Sequence, residues 1–202
     1  MRLDIAISTR DRHLEVCNLI QSLRSQTFKE WDLYVVDGSQ TPIQYCDPFM
    51  KLIMQLKFDG HKVRVERANI FNENCKARMQ CFSYGNSPLI LRMDDDTFFM
   101  NSDDLQQLVD PIELGWDAVG GVTPNVGVPE LKRSVRFVKP IINRIDFDTE
   151  GNITYLGDDC GYSYIEQQII PAGHFRSSAL YKSEINKIQY PDNLSKYGFR
   201  EE

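Results

Sequence analysis

Leu89-Ile90-Leu91-Arg92-Met93-Asp94-Asp95-Asp96 is the stretch on which the fold turns. A short apolar run ends abruptly in three consecutive carboxylates. The run is too short for a helix and reads as a buried strand, so the acidic cluster falls at that strand's carboxyl end. Working back, Asn72–Tyr84 has Cys75, Met79 and Phe82 on one helical face, and Gly85 is expected to end that helix. His61–Glu66 carries Val63 and Val65, a half-buried strand. Phe49, Leu52, Ile53 and Leu56 give a helix that Asp47-Pro48 should open, with an aspartate cap and a proline in the first turn. Leu33–Val36 is another apolar strand run, ending at Asp37-Gly38-Ser39. Before it, Val16, Leu19, Ile20 and Leu23 follow the i, i+3, i+4, i+7 spacing of a helix, and Arg2–Ser8 alternates Leu3, Ile5 and Ile7 as a strand. Working forward, Asn101 or Ser102 should cap a helix through Leu105, Leu108 and Val109 that Pro111 ends. Trp116–Val122 is a fifth strand.

The order β-α-β-α-β-α-β-α-β predicts an α/β fold, a Rossmann-like, mainly parallel sheet with helices on both faces. Ligands of such sheets bind beyond the carboxyl ends of the strands. Ser8–Arg12, Asp37–Gln40 and Asp94–Asp96 all stand at such ends, so they should meet in one crevice. After Val122 the pattern changes. Val135–Val138, Arg144–Phe147 and Ile153–Leu156 read as short strands, with a turn at Asp148–Asn152, and this β-rich region is expected to cover the sheet edge.

The chain has 202 residues, enough for one domain with a substantial core. A net charge of −6 without a long basic run argues against nucleic acid as the main partner. The opening MRLDIAISTRDRHLEV is too short an apolar run for a secretory signal, and no run approaches the roughly 20 residues of a membrane helix. Cys17, Cys46, Cys75, Cys81 and Cys160 show no Cys-x-x-Cys pair, which fits reduced thiols in a cytoplasmic protein. These cysteines and His13, His61 and His174 lack the ligand spacing of a zinc site. No Gly-x-Ser-x-Gly elbow marks a hydrolase.

The chemistry-bearing residues each allow two readings. Asp94, Asp95 and Asp96 repel one another and need compensation. A Mg²⁺ or Mn²⁺ ion bridging a diphosphate would supply it; a solvated loop capping the next helix is the alternative. Asp37 can accept a hydrogen bond from a nucleobase imide or serve an Asp-Gly turn. Thr9, Arg10 and Arg12 can contact base, ribose or phosphate, or form a helix start capped by Thr9 or Asp11. Arg78, in Asn74-Cys75-Lys76-Ala77-Arg78, can face the crevice or the solvent.

Taken in order, these motifs resemble the nucleotide-binding half of family 2 glycosyltransferases of the GT-A fold. DIAISTRDRHLEVCNLIQSLRSQTFKEWDLYVVDGSQ is similar to the family's first strand, helix and second strand, including Gln26-Thr27. Thr9-Arg10-Asp11-Arg12 stands for the family's Thr-x-Asn-Arg, with aspartate for asparagine. Ala77-Arg78-Met79 stands for Ala-Arg-Asn. Asp37-Gly38-Ser39 looks like its base-recognising Asp-Gly-Ser, and Asp94-Asp95-Asp96 like its Asp-x-Asp. The resemblance implies that Asp96 ligates the metal with help from Asp94, which can also contact ribose. It implies that Thr9, Arg10, Arg12, Asp37, Gly38, Arg78, Asp94 and Asp95 hold the nucleotide. Ala172–Arg176 is similar to the acceptor-side segment. Tyr197–Glu202 is similar to the late acidic motif, making Glu202, with Glu201 close behind, the general base. Family members continue past that motif, so a C-terminally truncated single domain is expected, with residues 1–122 facing the nucleotide and 123–202 the acceptor.

The function so implied is transfer of a sugar from a UDP- or GDP-linked donor to an acceptor hydroxyl, with inversion and a divalent metal. The acceptor would be a carbohydrate, a lipid-linked group or a protein. Two rivals remain at this stage. A nucleotidylyltransferase would want a Gly-rich phosphate loop after the first strand, and Ser8–Arg12 has no glycine. A non-catalytic nucleotide-sugar binding module would bind without turnover.

Overall fold

The computed structural model describes residues 1–69, 74–115, 118–120, 145–147, 153–155 and 178–182. Its elements are β1 (Leu3–Thr9), α1 (His13–Arg24), β2 (Trp31–Asp37), α2 (Asp47–Phe58), β3 (Val63–Arg67), α3 (Asn74–Phe82), β4 (Leu89–Asp94), α4 (Asp104–Glu113), β5 (Ala118–Gly120), β6 (Ile145–Phe147), β7 (Ile153–Tyr155) and β8 (Ser178–Lys182). A turn of 3₁₀ helix, Ile43–Tyr45, precedes α2.

Six strands form one sheet in the order β3-β2-β1-β4-β8-β5. The strands β3, β2, β1 and β4 run parallel. Both faces are covered, and strand alternation decides which side chain goes where. Ile5, Ile7, Leu33, Val35, Leu89, Leu91 and Met93 join Val16, Leu19, Ile20, Leu23, Phe49, Ile53, Leu56, Leu105 and Val109 in the larger core, beneath α1, α2 and α4. Ala6, Tyr34, Val36 and Ile90 point the other way and pack with Ala77 and Cys81 of α3.

Two departures from the expected topology stand out. Strand β8 enters the sheet antiparallel to β4, and β5 pairs antiparallel with β8 at the edge. Ser178–Lys182 carries only a short apolar stretch, so its sequence gave no strand signal, although Leu180 is fully buried. Strand β8, from the second half, is thus part of the sheet itself. Strands β6 and β7 pair as expected, Ile145 opposite Tyr155. The strand expected at Val135–Val138 and the turn at Asp148–Asn152 lie outside the described residues.

Several helix ends differ from expectation for local reasons. Asp47 is the first residue of α2 and Cys46 occupies its cap position, without a side-chain capping bond. Asp103 occupies the α4 cap position, and Pro111 lies inside that helix. A proline so near the C-terminus removes one backbone bond without stopping the last turn. Gly115, at φ +105°, follows immediately. Neither Thr9 nor Asp11 caps α1, whose cap position is Arg12. Gly85 does not adopt the left-handed backbone of a glycine helix stop. A Cβ there would lie 2.0 Å from Asp4 Oδ2, so the glycine makes room for a buried carboxylate. That carboxylate accepts bonds from the Ser87 N–H and hydroxyl, both at 2.7 Å.

Gln26 is completely buried and ties α1 to α4. Its amide nitrogen donates to the carbonyls of Ser22 and Asn101, and its oxygen accepts from the Leu105 N–H at 2.9 Å. Among the described residues no helix is long and apolar enough to cross a membrane.

Candidate donor site

Parallel pairing brings the three polar clusters to one edge. Thr9 is in register with Asp37, and Ser8 with Asp94. The crevice therefore opens beyond the carboxyl ends of β1, β2 and β4, as the α/β pattern implied.

On the β4 side, the aspartates divide their partners. Asp94 Oδ1 accepts from Arg78 Nη2 at 2.8 Å, with the Arg78 side chain only 11% exposed. Arg78 therefore faces the crevice and not the solvent. Asp95 Oδ2 accepts from the Thr9 hydroxyl at 2.7 Å. Arg12 Nη1 reaches both Asp95 Oδ1, at 3.0 Å, and Asp96 Oδ2, at 2.5 Å. Burial pushes the Asp94 carboxyl up. Arg92 and Arg78 pull it down, Asp96 and Asp95 push it up again, and it ends above its ordinary range. Burial likewise pushes Asp95 up. The Thr9 bond and the Arg12 charge oppose that, and its carboxyl also stays raised. Two arginines, Arg12 and Arg78, thus contact the three carboxylates, and the charge of buried Arg92 acts on Asp94.

On the β2 side, Asp37 is 1% exposed. Its Oδ1 accepts from the Ser39 N–H at 2.9 Å, and its Oδ2 from the Ile43 N–H at 2.8 Å and Arg67 Nη1 at 2.5 Å. Arg67 also donates to the Ser39 carbonyl. Burial alone would raise the Asp37 carboxyl. The nearby Ser39 hydroxyl, the hydrogen bonds from the Ile43 and Ser39 N–H groups and the Arg67 charge more than offset it and hold it below the usual range. The loop this carboxylate organises is stapled to the loop after β1. Asp11, at φ 55°, donates its N–H to Ser39 Oγ at 2.8 Å, and its Oδ1 accepts from the Gln40 N–H at 2.8 Å. Aspartate and asparagine are the side chains that best tolerate that left-handed backbone, so Asp11 can fill an asparagine's place.

Gly38 donates its N–H to the Thr9 carbonyl at 2.8 Å. A Cβ on it would meet Thr9 O at 3.6 Å, Ala68 Cβ at 3.9 Å and Arg10 Cβ at 4.0 Å, ordinary contacts all. Arg10 is half exposed beside Asp11, 3.7 Å away.

The expected site residues Thr9, Arg12, Arg78, Asp94, Asp95 and Asp96 are thus brought together, with Arg10, Asp37 and Gly38 along the same edge. Glu201, Glu202 and Ala172–Arg176 lie outside the described residues. Sequence reading passed over Arg67 and Arg92, and took Ser39 only as part of the Asp-Gly-Ser motif. Arg67 had a usable signal: it closes β3 in register with Asp37. Arg92 sits in an otherwise apolar strand, where a charge 3% exposed needs a reason, and Asp94 supplies one.

The carboxylates fit a divalent cation of a particular kind. Among the described residues there is no cluster of three or more His, Cys, Asp or Glu side chains able to hold a metal. A cage built wholly of protein is therefore not what these residues offer. Asp95 and Asp96 do converge on one cationic nitrogen, Arg12 Nη1. Magnesium-type ions are commonly held by one or two carboxylates, with substrate phosphates and water completing the shell. The convergent pair is Asp95 with Asp96, whereas the sequence pattern paired Asp96 with Asp94; Arg78 takes up Asp94 instead.

The family model for glycosyl transferase family 2 matches residues 4–169. The chain belongs to this family. No curated protein matches it. Among solved structures, S. aureus TarS 1–349 in complex with UDP superposes with a TM-score of 0.62 at 16% identity, over 96% of this chain and 51% of that one. The same TarS fragment on its own gives 0.59 at 15% identity, over 96% and 52%. The mannosyltransferase PcManGT from Pyrobaculum calidifontis, in complex with GDP-Man and Mn²⁺, gives 0.59 at 12% identity, over 96% and 48%. The family 2 chain described here therefore has the GT-A fold and spans about half the length of these structures.

Proposed function

We propose that this family 2 chain binds a UDP- or GDP-linked sugar with Mn²⁺ or Mg²⁺ and transfers the sugar to an acceptor hydroxyl with inversion. The observation that carries this is the convergence of Asp95 and Asp96 on one cationic point, at the crevice where Thr9, Arg12 and Arg78 also meet. The UDP complex of TarS and the GDP-Man and Mn²⁺ complex of PcManGT support it as relatives in fold.

In this reading Asp95 and Asp96 hold the cation, and Asp94 borders it. A cation bound there acts as a Lewis acid, neutralising the charge that grows on the leaving diphosphate. Arg12 and Arg78 offer positive charge to the same oxygens, Arg78 from a largely buried position. Thr9 holds Asp95 in place. Asp37 acts on the nucleoside by fixing the loop that carries Gly38 and Ser39, and Arg10 borders that floor. Glu202, or Glu201, is the proposed base that takes the acceptor's proton as the hydroxyl attacks the anomeric carbon. The acceptor is a carbohydrate, a lipid-linked group or a protein. A reducing, cytoplasmic setting suits Cys17, Cys46 and Cys81, all free thiols.

The test is calorimetric titration of the chain with UDP and with GDP, with and without Mn²⁺. Metal-dependent binding of one of them is expected and fixes the donor base. No binding of either would sink the reading. Binding joined to a complete lack of turnover, with sugar donors and a panel of acceptors, would favour a binding module.

A further inference from the structure

Of the two arginines in contact with the aspartates, Arg12 alone bridges two of them. Its Nη1 is shared by Asp95 and Asp96 at 3.0 and 2.5 Å. The two sides of this contact differ in freedom. Asp95 is 8% exposed and pinned by the Thr9 hydroxyl. The Arg12 side chain is 48% exposed and extends from the residue that precedes α1. Asp95 is therefore fixed, while the half-exposed guanidinium can leave. A divalent ion would need the same two oxygens, and two cations cannot share the point.

We propose that Arg12 is a displaceable counter-cation of the donor site. It balances Asp95 and Asp96 when no metal is bound, and it competes with metal arriving alone. When metal arrives with a nucleoside diphosphate, it moves onto the diphosphate oxygens. This rests on the proposed donor-binding function. A guanidinium fork matches phosphate oxygens as well as carboxylates, so the move exchanges one good partner for another. Metal alone gives Arg12 nowhere to go; metal with diphosphate does. Metal and nucleotide must then strengthen each other's binding, by the same factor in both directions.

The experiment titrates Mn²⁺ into the full chain and follows free Mn²⁺ by electron paramagnetic resonance, first alone and then with UDP or GDP present. Wild type, Arg12→Ala and Arg12→Lys are compared, with thermal melts confirming that each is folded. Arg12→Ala is expected to bind Mn²⁺ alone about fivefold more tightly, the worth of one half-exposed ion pair. The further gain in Mn²⁺ affinity brought by nucleotide should be smaller in Arg12→Ala than in wild type. Arg12→Lys keeps the charge without the fork and should fall between them. Equal or weaker Mn²⁺ binding by Arg12→Ala, or an undiminished nucleotide effect, overturns the role given to Arg12 while wild type still binds nucleotide with metal. If wild type binds neither, the donor-site reading falls with it.

Discussion

Replacing Asp37 with alanine should cost this protein about 3 kcal/mol of stability, and the sum can be worked from its partners. The carboxylate satisfies two backbone N–H groups, of Ser39 and Ile43, on residues with no exposed surface. A buried donor left without a partner costs about 1–3 kcal/mol. The third partner, Arg67, has a side chain 41% exposed and can turn to water. Its ion pair is worth at most about 1 kcal/mol. Two donors at the middle of their range, reduced by water that enters the vacated space, give the stated figure. Arg67→Ala, which also takes a donor from the buried Ser39 carbonyl, should cost less than Asp37→Ala, about 1–2 kcal/mol. The contrast between the two variants separates backbone satisfaction from ion pairing. Urea unfolding, read at constant slope, measures both.

The same carboxylate predicts a pH signature. Its folded-state pKa lies below its ordinary value. Its contribution is then fully present above the unfolded value, about 4, and is lost as pH falls through the folded one. The gap between wild type and Asp37→Ala should be constant from pH 8 to 5 and narrow below about pH 4. An Asp37→Ala protein within about 1 kcal/mol of wild type, or no more destabilised than Arg67→Ala, would refute this account of Asp37.

Two further outcomes follow from buried carboxylates. Gly85→Ala drives a Cβ into the Asp4 side chain, 2.0 Å from Oδ2, and should break the two bonds to Ser87 at a cost of about 2–3 kcal/mol in urea unfolding. An unchanged midpoint would mean that Asp4 can move freely. Asp95→Asn should raise the melting temperature at pH 7 and abolish Mn²⁺-dependent nucleotide binding. The folded state holds the Asp95 proton more tightly than the unfolded chain does, so the ionised carboxylate opposes folding above about pH 4, and below that the advantage of asparagine should vanish. Melts across pH, with calorimetry, check both halves.

The parallel core was legible because each strand from β1 to β4 announces itself by a short apolar run, and each intervening helix by its 3.6-residue spacing. The meeting of Thr9, Asp37 and Asp94 followed from topology alone. Strand β8 was not legible, because a five-residue edge-side strand gains its burial from neighbours far off in sequence. The role of Gly85 was misread for a related reason. Glycine after a helix usually reports a left-handed backbone, and here it reports Asp4, 81 positions earlier, the difference of the two residue numbers.

The motifs also mixed two kinds of residue that a sequence cannot tell apart. A carboxylate at a strand end reads the same whether it faces a ligand or its own backbone. Asp37 spends its oxygens on Ser39, Ile43 and Arg67, and Gln26 spends its amide on Ser22, Asn101 and Leu105. Both are frame. Asp96 differs in a way that only geometry reveals. Its one ion-pair partner among the described residues is a half-exposed arginine that can leave, and its side chain is 49% exposed. What separates frame from site is thus the mobility of the partner. A carboxylate held by buried backbone cannot turn toward a ligand without disturbing its loop. One bound to a surface guanidinium can exchange it for another cation, which supports the proposal of donor chemistry on Asp95 and Asp96, with Asp37 holding the loop of Ser39 and Ile43 in place.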